Sequence, residues 1–218
     1  MKYKMFFIVC ATTLLAGCQS NEYSGVASLA TAKTVSLFDG KTFNGWKTAD
    51  PAKMHLWSIE DGVITTGNYR TKARGNTYLR TEKEFADFEF KCLFRLSGDP
   101  STGLINSGIQ YRSNGEPRVV GYQADIGDGY WGDIYDEHRR GLLVKADLSI
   151  LSKTLVSDAW NSYTIHVEGN RHRLYINDIL TADYIEQADV PQKGYIAVQL
   201  HSGGKAKVEF KDLTITEL

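Results

Sequence analysis

Asn106–Gly141 reads NSGIQYRSNGEPRVVGYQADIGDGYWGDIYDEHRRG, and two runs inside it decide the fold. In Ile109-Gln110-Tyr111-Arg112, strict alternation puts Gln110 and Arg112 on one face. In Val120–Ile126 the same period of two sets Gln123 and Asp125 against Val120, Tyr122, Ala124 and Ile126. A period of two marks a strand whose faces differ. Solvated sheet faces ordinarily carry Lys, Glu and Thr. Gln, Arg, Gln and Asp, followed by a loop rich in Gly, Tyr, Trp, Asp, Glu and His, suit the floor and wall of a binding groove.

Working outward, alternation recurs in Phe88–Leu96, Tyr163–Glu168, Arg173–Asn177, Tyr195–His201 and Lys207–Thr216. Turn signals separate these runs, among them Ser97-Gly98-Asp99-Pro100, Ser113-Asn114-Gly115, Gly169-Asn170 and Ser202-Gly203-Gly204. Helical periodicity is weak; the best stretch, Lys145–Val156, lacks a clear cap. Many short strands with few helices predict a single all-β domain, a jelly-roll β-sandwich. The C-terminal strand is expected to pair back near Val35–Phe38. Cys92, in register with Phe88, Phe90 and Phe94, reads as a buried thiol. Trp46 suits a core plug as well as a ligand contact.

The first residues read differently. Lys2 and Lys4 precede an apolar Met5–Leu15 run, and Leu15-Ala16-Gly17-Cys18 closes it, the order of a secretory signal. The ending resembles a bacterial lipobox, which implies a signal peptide over 1–17, lipidation of Cys18 and a flexible tether over 18–33. An exported lipoprotein is therefore expected, placed at the outer membrane, facing periplasm or cell surface and touching the membrane only through its lipid. Cleavage would remove Lys2, Lys4 and Cys10, taking the formal net charge from −1 to −3 and leaving Cys92 without a disulfide partner. The 34–218 segment is long enough for a sizeable core. Its Lys and Arg form no basic stripe, which argues against nucleic acid. Aromatic residues make up 11% of the chain, and such rings suit sugar faces.

A third polar face comes from Ala197, Gln199 and His201, opposite Ile196, Val198 and Leu200. If the three faces meet on one concave sheet, they form a groove. The loop after Asp125 adds Trp131, Tyr135, Glu137, His138 and Arg139, while Asp128, Asp133 and Arg140 suit a solvated rim. The acidic spacing does not fit a calcium loop, and no H-E-x-x-H motif, nucleophile elbow, phosphate loop or dinucleotide fingerprint occurs. No metal ligand set is assigned.

Leu37-Phe38-Asp39-Gly40-Lys41-Thr42-Phe43-Asn44-Gly45-Trp46 resembles the opening of the 3-keto-disaccharide hydrolase domain family. Ser107–Arg112, Gly121–Asp125, Trp160-Asn161 with Tyr175-Ile176-Asn177, and the closing Val198–His201 and Val208–Leu213 runs are similar too. Asp178 departs from the family, which usually has glycine there. The resemblance implies a concanavalin- or laminin-G-like sandwich that cleaves glycosides oxidised at C3, with a separate sugar 3-oxidoreductase supplying them. Such cleavage needs a base at C2, a stabiliser for the enolate oxygen and an acid for the leaving group. Asp125, Glu137 and His201 are the candidates for base and acid. Arg112, Gln123 and Arg139 are candidates for holding the enolate; Tyr135 and Trp131 for covering a sugar face; Gln110 and Gln199 for further substrate contacts. Whether a divalent metal assists stays open. Two other readings compete: a non-catalytic carbohydrate-binding lipoprotein, and a glycosidase using Asp125 and Glu137 as paired carboxylates.

Overall fold

The structure is a computed structural model that describes residues 32–218. The expected signal peptide over 1–17, the lipidation site Cys18 and nearly all of the tether lie outside the described residues. The first strands are β1 (Thr34–Ser36), β2 (Trp46–Thr48), β3 (Trp57–Glu60), β4 (Val63–Gly67) and β5 (Thr77–Phe85). Then come β6 (Phe88–Asp99), β7 (Asn106–Asn114), β8 (Val120–Gly127), β9 (Ile134–Glu137) and β10 (Gly141–Val144). The last are β11 (Asn161–Glu168), β12 (Arg171–Ile176), β13 (Ile179–Ile185), β14 (Gly194–Leu200) and β15 (Lys205–Glu217). A four-residue helix, Leu148–Leu151, falls in the weakly helical stretch and is capped by Asp147, whose Oδ1 accepts from Ser149 N.

Two antiparallel sheets pack face to face. One runs β13-β12-β11-β6-β15-β4-β3 with β1 on β15; the other runs β10-β9-β8-β7-β14-β5-β2. The expected terminal pairing is present, with Val35 opposite Ile215. Between the sheets, Phe88, Phe90, Cys92 and Phe94 of β6 meet Ile109 and Tyr111 of β7 and Tyr122, Ala124 and Ile126 of β8, all buried. Burial pushes the Cys92 thiol well above its ordinary range, which removes it as a nucleophile. Trp46 belongs to the core, its Nε1 donating to Leu37 O at 2.6 Å. Asn177 and Asp178, with φ of 49° and 64°, form the tight turn between β12 and β13 that glycine favours.

The second sheet is strongly curved. Tyr78 on β5 donates to Glu137 on β9 at 3.2 Å although β8, β7 and β14 lie between their strands. On a flat sheet that span would be about 19 Å. The loop between β7 and β8 folds over part of the concave face. There Val119, Tyr195, Ala197, Ala49 and Tyr78 form a second small apolar cluster. Tyr195 Oη donates to Gly115 O, and Glu116 pairs with Arg80 and Lys47.

Arg112 does not share the face of Gln110 in the way its spacing suggests. A bulge between Tyr111 and Asn114 gives Arg112 a φ of 45° and turns its side chain into the end of the sandwich. It is 1% exposed there, donating to Ala86 O, Gly169 O, Gln192 Oε1 and Asp87 Oδ1. Three separate turns are thereby tied to one guanidinium. Among the described residues no helix is long and apolar enough to cross a membrane.

Replacing Arg112 with Met orphans these acceptors and should cost about 3–5 kcal/mol, a fall in Tm of about 10 °C. Arg112→Lys should recover only part of that, since an ammonium lacks the planar fork of five donors. Thermal unfolding of the two variants checks this.

Candidate functional site

The uncovered part of the concave face holds a cup of about 360 Å³ whose lining includes Asn106, Gln123, Asp125, Tyr135, Glu137 and His201. Strands β7, β8 and β9 supply the first five, and His201 follows directly on β14. Leu104, Tyr130 and His138 complete the wall.

Asp125 sits 3% exposed at the base of this wall. Its carboxylate receives hydrogen bonds from the Gln123 and Asn106 side chains. Gln110 Nε2 donates to Gln123 Oε1, which fixes the Gln123 amide so that its NH₂ faces Asp125. Two glycines make this possible. Gly108 lies opposite Asp125 in register, and a Cβ there would stand 2.6 Å from Gln123 Cδ. Gly127 lies opposite Asn106, and a Cβ there would stand 2.8 Å from Asn106 Nδ2. Burial lifts the Asp125 carboxyl to about 7; Asp133 and Glu137 add to the rise, and the two amides hold it back.

Glu137 is held from the far side of the floor. Tyr78 Oη donates to it while accepting from Gln199 Nε2 at 3.2 Å and Asn76 Nδ2 at 3.1 Å. Desolvation and the nearby Glu137 charge push the Tyr78 phenol up to about 12, so it stays a donor at neutral pH. His201 Nδ1 bonds Ser202 O, and His138 Nδ1 bonds Val119 O at 2.7 Å. Carbonyls only accept, so each neutral ring carries its proton on Nδ1 and keeps a lone pair on Nε2. Among the described residues no three His, Cys, Asp or Glu side chains are gathered as a metal site.

Asp125, Glu137, His201, Gln123 and Tyr135 are thus brought together as their faces suggested. Gln110 and Gln199 form a layer beneath, fully buried, each with a carbonyl oxygen that no protein group satisfies. Three expected contacts lie elsewhere. Arg112 closes the sandwich end. Trp131 stacks on Phe94 at 6.2 Å between centroids, because its glycine-flanked turn points it back to the core. Arg139 is drawn into an ion pair with buried Asp136 and lies over the Tyr122 ring. Nor are Asp133 and Arg140 rim residues: Asp133 is buried against Lys145 and Ala146 N, and Arg140 bridges Asp136 and Glu186. Sequence reasoning missed Tyr78 and Asn106, and it placed His138 in the loop without giving it a role. The alternation of Tyr78 and Arg80 against Thr77, Leu79 and Thr81 was the available signal for the first.

Sheet order, curvature and cup define a β-sandwich of the galectin and concanavalin kind, with its polar site on the concave sheet. The chain belongs to the 3-keto-alpha-glucoside-1,2-lyase-like domain family, which matches residues 33–216. Membership makes it a glycosyl-hydrolase-like or carbohydrate-binding domain. No curated protein matches the chain. Among solved structures it is similar to a Parabacteroides distasonis protein assigned as a glycosyl hydrolase, with TM-score 0.62, 20% identity, and 85% of this chain and 94% of that one covered. It is also similar to a carbohydrate-binding module from Bacillus subtilis, with TM-score 0.60, 15% identity, and 79% and 96% covered. At these identities the likeness concerns the fold alone.

A carboxyl whose folded pKa stands near 7, above its unfolded value of about 3.9, holds its proton more tightly when folded. Stability therefore falls as pH rises from about 4 to about 7, by up to about 4 kcal/mol. Asp125→Asn should be more stable than the wild type at pH about 8 and indistinguishable from it at pH about 4. Urea unfolding at the two pH values tests the sign.

Proposed function

We propose that this protein cleaves glycosides whose sugar carries a ketone at C3. The observation that carries the reading is Asp125: a buried carboxyl lifted to about 7, on the wall of an open polar cup, with Glu137 and His201 lining the same cup. The family description, a lyase acting on 3-keto-alpha-glucosides, supports the substrate class. A base near neutrality combines sufficient ionisation with sufficient proton affinity. The C3 ketone acidifies the C2 proton, Asp125 removes it, and the electron pair passes to the C3 oxygen as an enolate. The enolate then re-forms the ketone as the C1–O bond breaks, leaving a C1=C2 double bond. The departing oxygen takes the proton that Asp125 has just gained. Water, activated at His201 Nε2, adds to C1 while C2 regains a proton, and net hydrolysis results.

The amides of Asn106 and Gln123, already directed at Asp125, are the donors placed to hold the enolate oxygen. Arg112 and Arg139, engaged elsewhere, are not. The proposal includes an outer-membrane lipoprotein anchored at Cys18 and a separate sugar 3-oxidoreductase that supplies the ketone.

Incubation with a 3-keto glucoside and with its unoxidised parent should release the aglycone from the keto substrate alone. Asp125→Asn should lower that rate about 10²–10⁴-fold. In the wild type, kcat/KM should climb with pH and level off above about 7, as the required carboxylate forms. Release from the parent would replace this reading with a two-carboxylate glycosidase. Binding of both sugars without release would reduce the cup to a recognition site.

A further inference from the structure

A second cavity, of about 490 Å³, opens beside the cup at the end of the sandwich opposite Arg112. Lys53, His55, Lys72 and Arg74 all line it, and no Asp or Glu does. Among the described residues Lys53, Lys72 and Arg74 form no ion pair, whereas eleven of the other twenty Lys and Arg do. The charge is thus local and uncompensated on a chain whose formal net charge is −1. Along the sequence these residues look scattered. The turn Gly67–Asn76 and the 3₁₀ turn Pro51–Leu56 bring them together.

The cavity is built. Lys53 Nζ donates to Asn76 O at 2.7 Å, and Gly75 leaves room for it, since a Cβ there would stand 3.3 Å from Nζ. Thr66, 2% exposed, lines the back and its hydroxyl has no partner among the described residues. Uncompensated cations with a spare hydroxyl suit an oxyanion.

The cavity also adjoins the sugar cup. Leu200 lines one and His201, the next residue, lines the other. Asn76 forms the partition: its carbonyl takes Lys53, while its side chain binds Tyr78 Oη and Ser202 N.

We propose that this cavity is a subsite for an acidic saccharide, whose carboxylate or sulfate is held by Lys53, Lys72 and Arg74 while a neighbouring sugar occupies the cup. The proposal rests on the carbohydrate reading above but not on the cleavage chemistry.

Binding is the test, by calorimetry on the purified full chain with a glucuronate-bearing disaccharide and its carboxyl-reduced neutral counterpart. At about 20 mM salt the acidic sugar should bind about tenfold more tightly, and the gap should close near 500 mM as screening shortens. Lys72→Ala with Arg74→Ala should abolish the gap and leave the neutral sugar's affinity unchanged. Lys72→Glu with Arg74→Glu should invert it. Both positions are exposed, so folding is not at stake. Equal affinities at low salt, or a gap that survives both double variants, would overturn the proposal. So would inorganic sulfate binding as tightly as the acidic disaccharide. Asp125→Asn should keep the gap whether or not the wild type cleaves keto glycosides, so the two readings fail separately.

Discussion

A carboxylate almost sealed from water is tolerable only where donors reach it, and that requirement organises the concave sheet. Asp125 has its donors because Gln123 and Asn106 lie flat across the neighbouring strands. They can do so because Gly108 and Gly127 stand where side chains would block them. Gln110 orients the Gln123 amide, and the curvature that brings Tyr78 to Glu137 closes the layer from the other side. Remove the curvature and Glu137 loses its Tyr78 donor, which leaves the cup open on that side. The site is therefore a property of the sheet as a whole.

The donors that quiet Asp125 do not cancel its desolvation. The residue is left between two states near neutral pH, which is costly for folding and useful for proton transfer. The opposite choice is made at the far end of the sandwich. There Glu186 is held well below the usual carboxylate range by Arg140, with Tyr122 adding a further hydrogen bond. One end of the molecule stabilises its charges; the other leaves one poised.

Alternation made most of the fold legible. Phe88–Leu96 and Lys207–Thr216 pair as long strands, and Gln123, Asp125 and His201 point where their spacing placed them. What periodicity could not register was a change of phase. The bulge at Arg112 breaks the period and sends a presumed groove residue to the sandwich end. The glycine-rich turn at Gly127–Gly132 does the same for Trp131, whose direction depends on backbone angles open chiefly to glycine. Arg139 was read as a groove residue because its spacing gives no sign of a partner; buried Asp136 draws it into an ion pair instead. Strand β5 was missed because Thr77, Arg80 and Thr81 surround Leu79, and exposed Glu82, Lys83 and Glu84 separate it from Phe85, its other residue in the main core.

Strand β14 belongs to two cores at once. Ile196, Val198 and Leu200 face the space between the sheets, while Tyr195 and Ala197 face the small cluster beneath the β7–β8 loop, and every residue from Gly194 to Leu200 is buried. Such a strand has no partial opening that leaves either layer intact, so its amides exchange with solvent only when the whole domain unfolds. The floor of the cup is in that sense incompressible, and any breathing that admits a ligand falls to the rim, at Leu104, Tyr130 and the Ser202–Gly204 turn.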